Sequence, residues 1–211
     1  MGYFAITTLI LVIIMVLARV AILRKKGIEA MKFGELDKKD YIVIPFVLLY
    51  FYIIVTSVLD LPILGSFLFN NKIISWIGIA FCIIGLILFL LSLIAFGKSF
   101  RVGIDKDHPG ELITSGVFSV SRNPIYAAFL FILSGIFLVI PNWILLLYLI
   151  VGFWFINRQV LREEGSLEEI YGDEYNRYRK KVRRCILQNH NTQDCNCNYT
   201  MLQLDMEPLR A

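Results

Sequence analysis

Five stretches of this chain are apolar over lengths that approach or exceed a bilayer crossing: Tyr3–Leu23, Tyr41–Pro62, Lys72–Phe96, Pro124–Ile140 and Asn142–Ile156. A hydrocarbon core of roughly 30 Å takes about 20 helical residues. The last two runs are short for independent spans and are separated only by Pro141-Asn142, which predicts a tight helical hairpin whose first arm tilts or reaches past the apolar core. With 57% hydrophobic and 18% charged residues, a chain of 211 residues carries more apolar surface than a soluble domain can bury, so lipid must solvate it. The first run has no basic residue before it and no small-x-small site after it; it reads as a retained span and not as a cleavable signal.

Cationic residues predict an orientation. Arg24, Lys25, Lys26, Lys32, Lys38 and Lys39 follow the first run, Lys98, Arg101, Lys106 and Arg122 fall between the third and fourth, and Arg158 opens a basic C-terminal region. With five spans these regions share one side, while the opposite connections, Leu61–Asn71 and Pro141-Asn142, are nearly free of charge. The loops and C terminus are therefore expected in the cytoplasm and the N terminus outside. A net charge of +4 favours anionic lipid headgroups. Nucleic acid is not expected as a partner, because the basic residues are divided among membrane-proximal loops and not gathered on a recognition helix.

Cys82 lies within an apolar run and reads as a small packing residue, whereas Cys185, Cys195 and Cys197 stand in a polar tail. Cys195 and Cys197 have no histidine at ligand spacing, His190 being too close, so no metal site is expected. Asn198-Tyr199-Thr200 matches a glycosylation sequon that a cytoplasmic tail would not present for modification. The tail, rich in Asn, Gln and Thr, reads as disordered and dispensable for chemistry. Three segments result: 1–96, with three membrane helices and a basic loop; 97–184, a core of loop, helical hairpin and C-terminal helices; and the tail, 185–211.

The chemistry-bearing residues concentrate in the second segment. Asp105, Lys106, Asp107, His108, Pro109, Gly110 and Glu111 form a turn-rich exposed loop. It leads through Leu112–Phe118 to Ser121-Arg122-Asn123-Pro124-Ile125-Tyr126. Asn favours the N-cap and Pro the first helical position, so Asn123-Pro124 reads first as the start of the fourth helix. The same start offers exposed N–H groups and a positive dipole end to a carboxylate.

Beyond the fifth run, Arg158 and Arg162 share one helix face, and Gln159 and Glu163 the next. Two readings stand: a salt-bridged helix end with snorkelling arginines, and a functional cluster at the base of a span. Gly165 weakens the helix, Ser166 with Glu169 forms a capping-box pattern for a new short one, and Asp173 is a candidate cap for the last helix. Tyr171, Tyr175 and Tyr178 recur at helical spacing, which reads as packing.

In order and spacing, Leu112–Phe118, Arg122-Asn123-Pro124-Ile125-Tyr126, Arg162-Glu163-Glu164 and Tyr171-Gly172-Asp173-Glu174-Tyr175-Asn176-Arg177-Tyr178 resemble the isoprenylcysteine carboxyl methyltransferase and phospholipid methyltransferase family, from the third run to about Arg184. The resemblance implies an all-α, polytopic membrane bundle of about five helices. It also implies a cytoplasmic C-terminal pocket for S-adenosyl-L-methionine and a lipid or lipidated substrate arriving from the bilayer. Carried onto this chain, the cofactor contacts would be Gly110, Glu111, Leu112, Ile113, Phe118, Asn123, Pro124, Ile125, Tyr126 and Glu163. Two positions depart from the family pattern. Arg122-Asn123-Pro124 stands for Arg-His-Pro, and Asn can still cap and donate. Gln159 stands where the family has a substrate-binding arginine, leaving Arg158 and Arg162 as candidates to orient an anionic substrate.

Methyl transfer from a sulfonium to a carboxylate merges opposite charges, so the protein must mainly align the partners and exclude water. An amine acceptor would also have to lose a proton, and only Glu163, Glu164, the tyrosines or His108 offer to take it. This favours an acidic acceptor, while Gln159 pushes the other way. Other classes remain: an NADPH-dependent reductase similar to sterol reductases, a noncatalytic membrane scaffold, or a small transporter half. The chain shows no extra basic cluster for a 2′-phosphate and its spans are almost uniformly apolar.

Overall fold

The computed structural model describes residues 2–25, 43–59, 61, 65–97 and 112–184. Gly110, Glu111, the His108 turn, the basic residues from Lys26 to Lys39, Lys98, Arg101, Lys106 and the tail from Cys185 onward lie outside the described residues. Six helices follow in order: α1 (Gly2–Lys25), α2 (Val43–Val58), α3 (Lys72–Phe96), α4 (Pro124–Val139), α5 (Trp143–Tyr171) and α6 (Asp173–Lys181). A 3-10 turn, Gly116–Ser119, precedes α4.

Helices α1, α3 and α5, of 24, 25 and 29 residues, are long and apolar enough to cross a membrane. Helices α2 and α4 are apolar but have 16 residues each, reaching about 24 Å at a rise of about 1.5 Å per residue. The outer faces of α1, α3 and α5 leave Ile14, Leu17, Trp76, Ile87, Leu147 and Phe153 exposed, a surface suited to lipid. The chain is an all-α integral membrane bundle.

Two expected boundaries are revised. The second span ends at Val58 and not at Pro62. The fifth, expected to continue as helix through Glu164 and to give way at Gly165 to a new short helix, runs unbroken to Tyr171, so Ser166 and Glu169 lie inside α5 and cap nothing. Gly165 faces open space and costs the helix only about 1 kcal/mol relative to Ala, while Leu167 and Tyr171 beyond it gain a packing partner in α6. Asp173 is likewise not the cap but the first residue of α6; Gly172, at φ 50°, makes the sharp turn between the two helices. The hairpin between α4 and α5 forms as expected, with buried Asn142 capping α5 by accepting from the Ile144 amide at 2.8 Å.

Helix α4 lies tightly along α3. A Cβ on Gly78 would sit 2.7 Å from the Gly135 carbonyl oxygen, and one on Gly135 would sit 2.6 Å from Cys82 Sγ, so the backbones meet where side chains are missing. Cys82 is buried there, as a packing residue. Around this seam Ile53, Ile54, Ile132, Ile136 and Leu145 bring α2 and α5 into one interior. Two buried hydroxyls are satisfied within their own helices, Thr8 donating to the Phe4 carbonyl and Ser92 to that of Leu88, whereas Ser57 Oγ in α2 has no hydrogen-bond partner among the described residues.

Candidate functional site

One end of the bundle gathers the polar residues. There α4 begins, the charged half of α5 passes it in antiparallel fashion, and α6 folds back against α5 and the 3-10 turn. Pro124 occupies the first turn of α4, where its missing N–H costs nothing. Asn123 precedes it without capping it: its side chain donates from Nδ2 to Glu164 Oε1 at 3.1 Å. The expected N-cap bond is absent: the bond from Nδ2 fixes the amide toward α5, and Oδ1 accepts no N–H of the first turn of α4.

Three residues further along α4, the Tyr126 hydroxyl donates to Glu163 Oε1, which also accepts from Gln159 Nε2 at 3.3 Å. The spacing of Asn123 and Tyr126 on α4 thus matches the adjacent acids on α5, one pair each. The two carboxylates differ sharply in environment. Glu164 is buried, and Arg184 grips it with Nε 3.0 Å and Nη2 2.7 Å from Oε2, while Arg122 Nη1 stands 3.5 Å from Oε1 as a second ion pair. With Asn123 included, both Glu164 oxygens are occupied by the protein. Glu163 is half-buried, and its hydrogen bonds among the described residues all fall on Oε1.

The segment after α6 returns to this cluster. Arg122 N–H donates to the Arg183 carbonyl at 2.9 Å, Ser121 Oγ to the Arg184 carbonyl at 3.1 Å, and Ser121 pairs with Arg183 in a parallel bridge. Tyr178 donates to the Phe118 carbonyl at 2.7 Å, and Phe118 packs edge-on against Phe96 with ring centroids 4.7 Å apart. Tyr175, Tyr178 and Val182 form a small core with Leu112, Leu167 and Tyr171, so the tyrosine stripe is packing, as its spacing suggested. Burial pushes the Tyr175 and Tyr178 hydroxyls above the ordinary tyrosine range, against the opposing influence of Arg122, and both stay protonated at neutral pH. Arg122 itself is almost fully buried, and its Nε and Nη1 have no hydrogen-bond partner among the described residues.

The structure therefore brings Asn123, Pro124, Tyr126 and Glu163 together, with Phe118 and Leu112 beneath α6. Ile125 points elsewhere, into the apolar cluster of Leu23, Phe89, Leu93 and Ala128, and Ile113 is half-buried in the segment leading to the 3-10 turn. Arg158 and Arg162 are exposed on a different face of α5, Arg158 lying over the Trp154 ring at 5.5 Å. The sequence reading missed the Arg122, Glu164 and Arg184 hub. Its one available signal was Glu164 standing four residues after the buried Val160, an acid on an otherwise inward face. Arg19 was missed as well; its guanidinium donates to the Gly97 carbonyl and ties α1 to the end of α3.

The phospholipid methyltransferase family matches residues 73–174, from the start of α3 into α6. Over 114 residues the chain is 30% identical to a probable protein-S-isoprenylcysteine O-methyltransferase of Oryza sativa subsp. indica, covering 52% of this chain and 59% of that protein. Over 79 residues it is 34% identical to the protein-S-isoprenylcysteine O-methyltransferase of Schizosaccharomyces pombe, covering 37% and 33%. The chain thus spans less than two thirds of the length of these curated relatives. A solved structure of the eukaryotic intramembrane Ras methyltransferase, isoprenylcysteine carboxyl methyltransferase, superposes with a TM-score of 0.55 at 19% identity, over 78% of this chain and 58% of that one. At that identity the likeness is one of fold.

Proposed function

We propose, from the premise that this chain belongs through residues 73–174 to the phospholipid methyltransferase family of integral membrane proteins, that it transfers a methyl group from S-adenosyl-L-methionine to an amphiphilic acceptor in the membrane. The observation that carries this reading is the unequal pair at the head of α4: Glu164 is saturated by protein donors, while Glu163, one residue away, keeps Oε2 available. Next to them Arg122 buries Nε and Nη1 without a hydrogen bond among the described residues, Nη1 standing only in the 3.5 Å ion pair with Glu164. Such a set suits a ligand bearing both a carboxylate and an ammonium group, as this cofactor does.

When bound, the cofactor supplies an electrophilic methyl group on a sulfonium. Glu163 accepts from the cofactor's donors and is held for that task by Tyr126 and Gln159. The start of α4 and Arg122 receive the carboxylate. Leu112 and Phe118, roofed by α6, exclude water. Gln159, already engaged with Glu163, is not offered to the acceptor. Arg158 and Arg162, exposed where α5 leaves its apolar stretch, orient an anionic headgroup. The acceptor is then a lipid or lipidated molecule, such as a prenylated cysteine with its free carboxylate, reaching the site from the cytoplasmic leaflet.

Calorimetric titration of the purified protein in detergent with S-adenosyl-L-methionine and, separately, with NADPH tests the cofactor. Saturable binding of the first and none of the second is expected. The reverse would replace methyl transfer with a reductase reading, and binding of neither would leave a noncatalytic membrane protein.

A further inference from the structure

Arg184 lies ten residues past the end of the family match at residue 174, yet it makes the strongest ionic contact in the site. Its guanidinium gives Glu164 three hydrogen bonds, two from Nε and one from Nη2 at 2.7 Å. Its carbonyl and that of Arg183 take hydrogen bonds from Ser121 and Arg122, the two residues just before Asn123. The strap formed by residues 182–184 is thus fastened at its backbone to the chain entering α4 and at its side chain to α5. Glu164 is the common anchor, because the same carboxylate holds Asn123 and faces Arg122.

We propose that Arg184 is a positioning residue. By locking the strap across Ser121 and Arg122, it sets where the Arg122 guanidinium and the Asn123 amide stand, and so completes the ligand site at the head of α4 from the C-terminal side. This rests on the methyl-transfer reading for the identity of the ligand. The physical reason is geometric: one buried carboxylate shared by two guanidiniums and an amide orients all of them only while each partner is present. Without Arg184, Glu164 is left to Asn123 and Arg122, and the donors of Arg122 are drawn from the ligand to the protein.

The test uses the full chain in nanodiscs, with S-adenosyl-L-methionine as the probe and two variants, Arg184→Met and Arg184→Lys. Arg184→Met should raise the Kd and the KM for the probe about ten- to thirtyfold while kcat stays within about threefold. Arg184→Lys, which keeps the charge but lacks the planar guanidinium fork, should recover part of that loss. Trypsin supplies a readout independent of activity. Cleavage at Lys180, Lys181 or Arg183 should be slow in the wild type, slower still with saturating probe, and fast in Arg184→Met whether or not the probe is present. A Kd for Arg184→Met equal to that of the wild type, or equal protection of its strap, overturns the proposal and leaves the methyl-transfer reading intact. A wild-type protein that does not bind the probe overturns that reading and the ligand coupling with it.

Discussion

Replacing Glu163 with Gln keeps its shape and removes its charge, so Glu163→Gln should weaken S-adenosyl-L-methionine binding by about 1.5–3 kcal/mol without loss of fold, read by titration and by thermal melting in detergent. Tyr126→Phe removes only the hydroxyl that donates to Glu163 and should cost binding less, about 0.5–1.5 kcal/mol. Glu164→Gln should behave in the opposite sense. It leaves two guanidiniums without their carboxylate, one of them partly exposed, and should destabilise the fold by about 3 kcal/mol, seen as a lowered Tm with or without ligand. The residues that differ so much here were not equally legible in the sequence. Gln159 and Glu163 stand four apart on one helix, and their pairing follows from that spacing. Glu164 draws its partners from 20 and 41 residues away, a distance over which no local pattern reports.

At the scale of elements, the seam between α3 and α4 depends on missing side chains. Gly135→Ala should place its methyl against Cys82 and the Gly78 carbonyl and lower stability by about 1–3 kcal/mol. Gly165→Ala, in an exposed turn of α5 with nothing near its added methyl, should stabilise by about 0.5–1 kcal/mol. A pair of melting curves compares them, and equal shifts of the same sign would contradict the packing described here. The same contrast explains what was readable. Long apolar runs predicted α1 and α3 within a residue or two, because in lipid the length of the run is the length of the helix. The continuation of α5 through Gly165 was not readable, because a local breaker is overridden by Leu167 and Tyr171 packing on α6. Asn123 shows the limit from the other side: its type and position predicted a cap, and a carboxylate on another helix took its amide instead.

For the whole molecule, five apolar helices, three of them of spanning length, place the polar cluster at one end of the bundle. The cationic loops argue that this end is cytoplasmic. A cysteine introduced as Ser66→Cys, in the connection before α3, should then react with a membrane-impermeant thiol reagent in intact cells, while Arg158→Cys should react only after permeabilisation. The central claim, methyl transfer to an acceptor that resides in the membrane, is tested most directly by incubating the protein with methyl-labelled S-adenosyl-L-methionine and a membrane extract, then partitioning the products. Label should enter the organic phase in the presence of the wild-type chain and fall to background with Glu163→Gln at low cofactor concentration. Label confined to water-soluble products, or organic-phase label unaffected by omitting the protein, would contradict it.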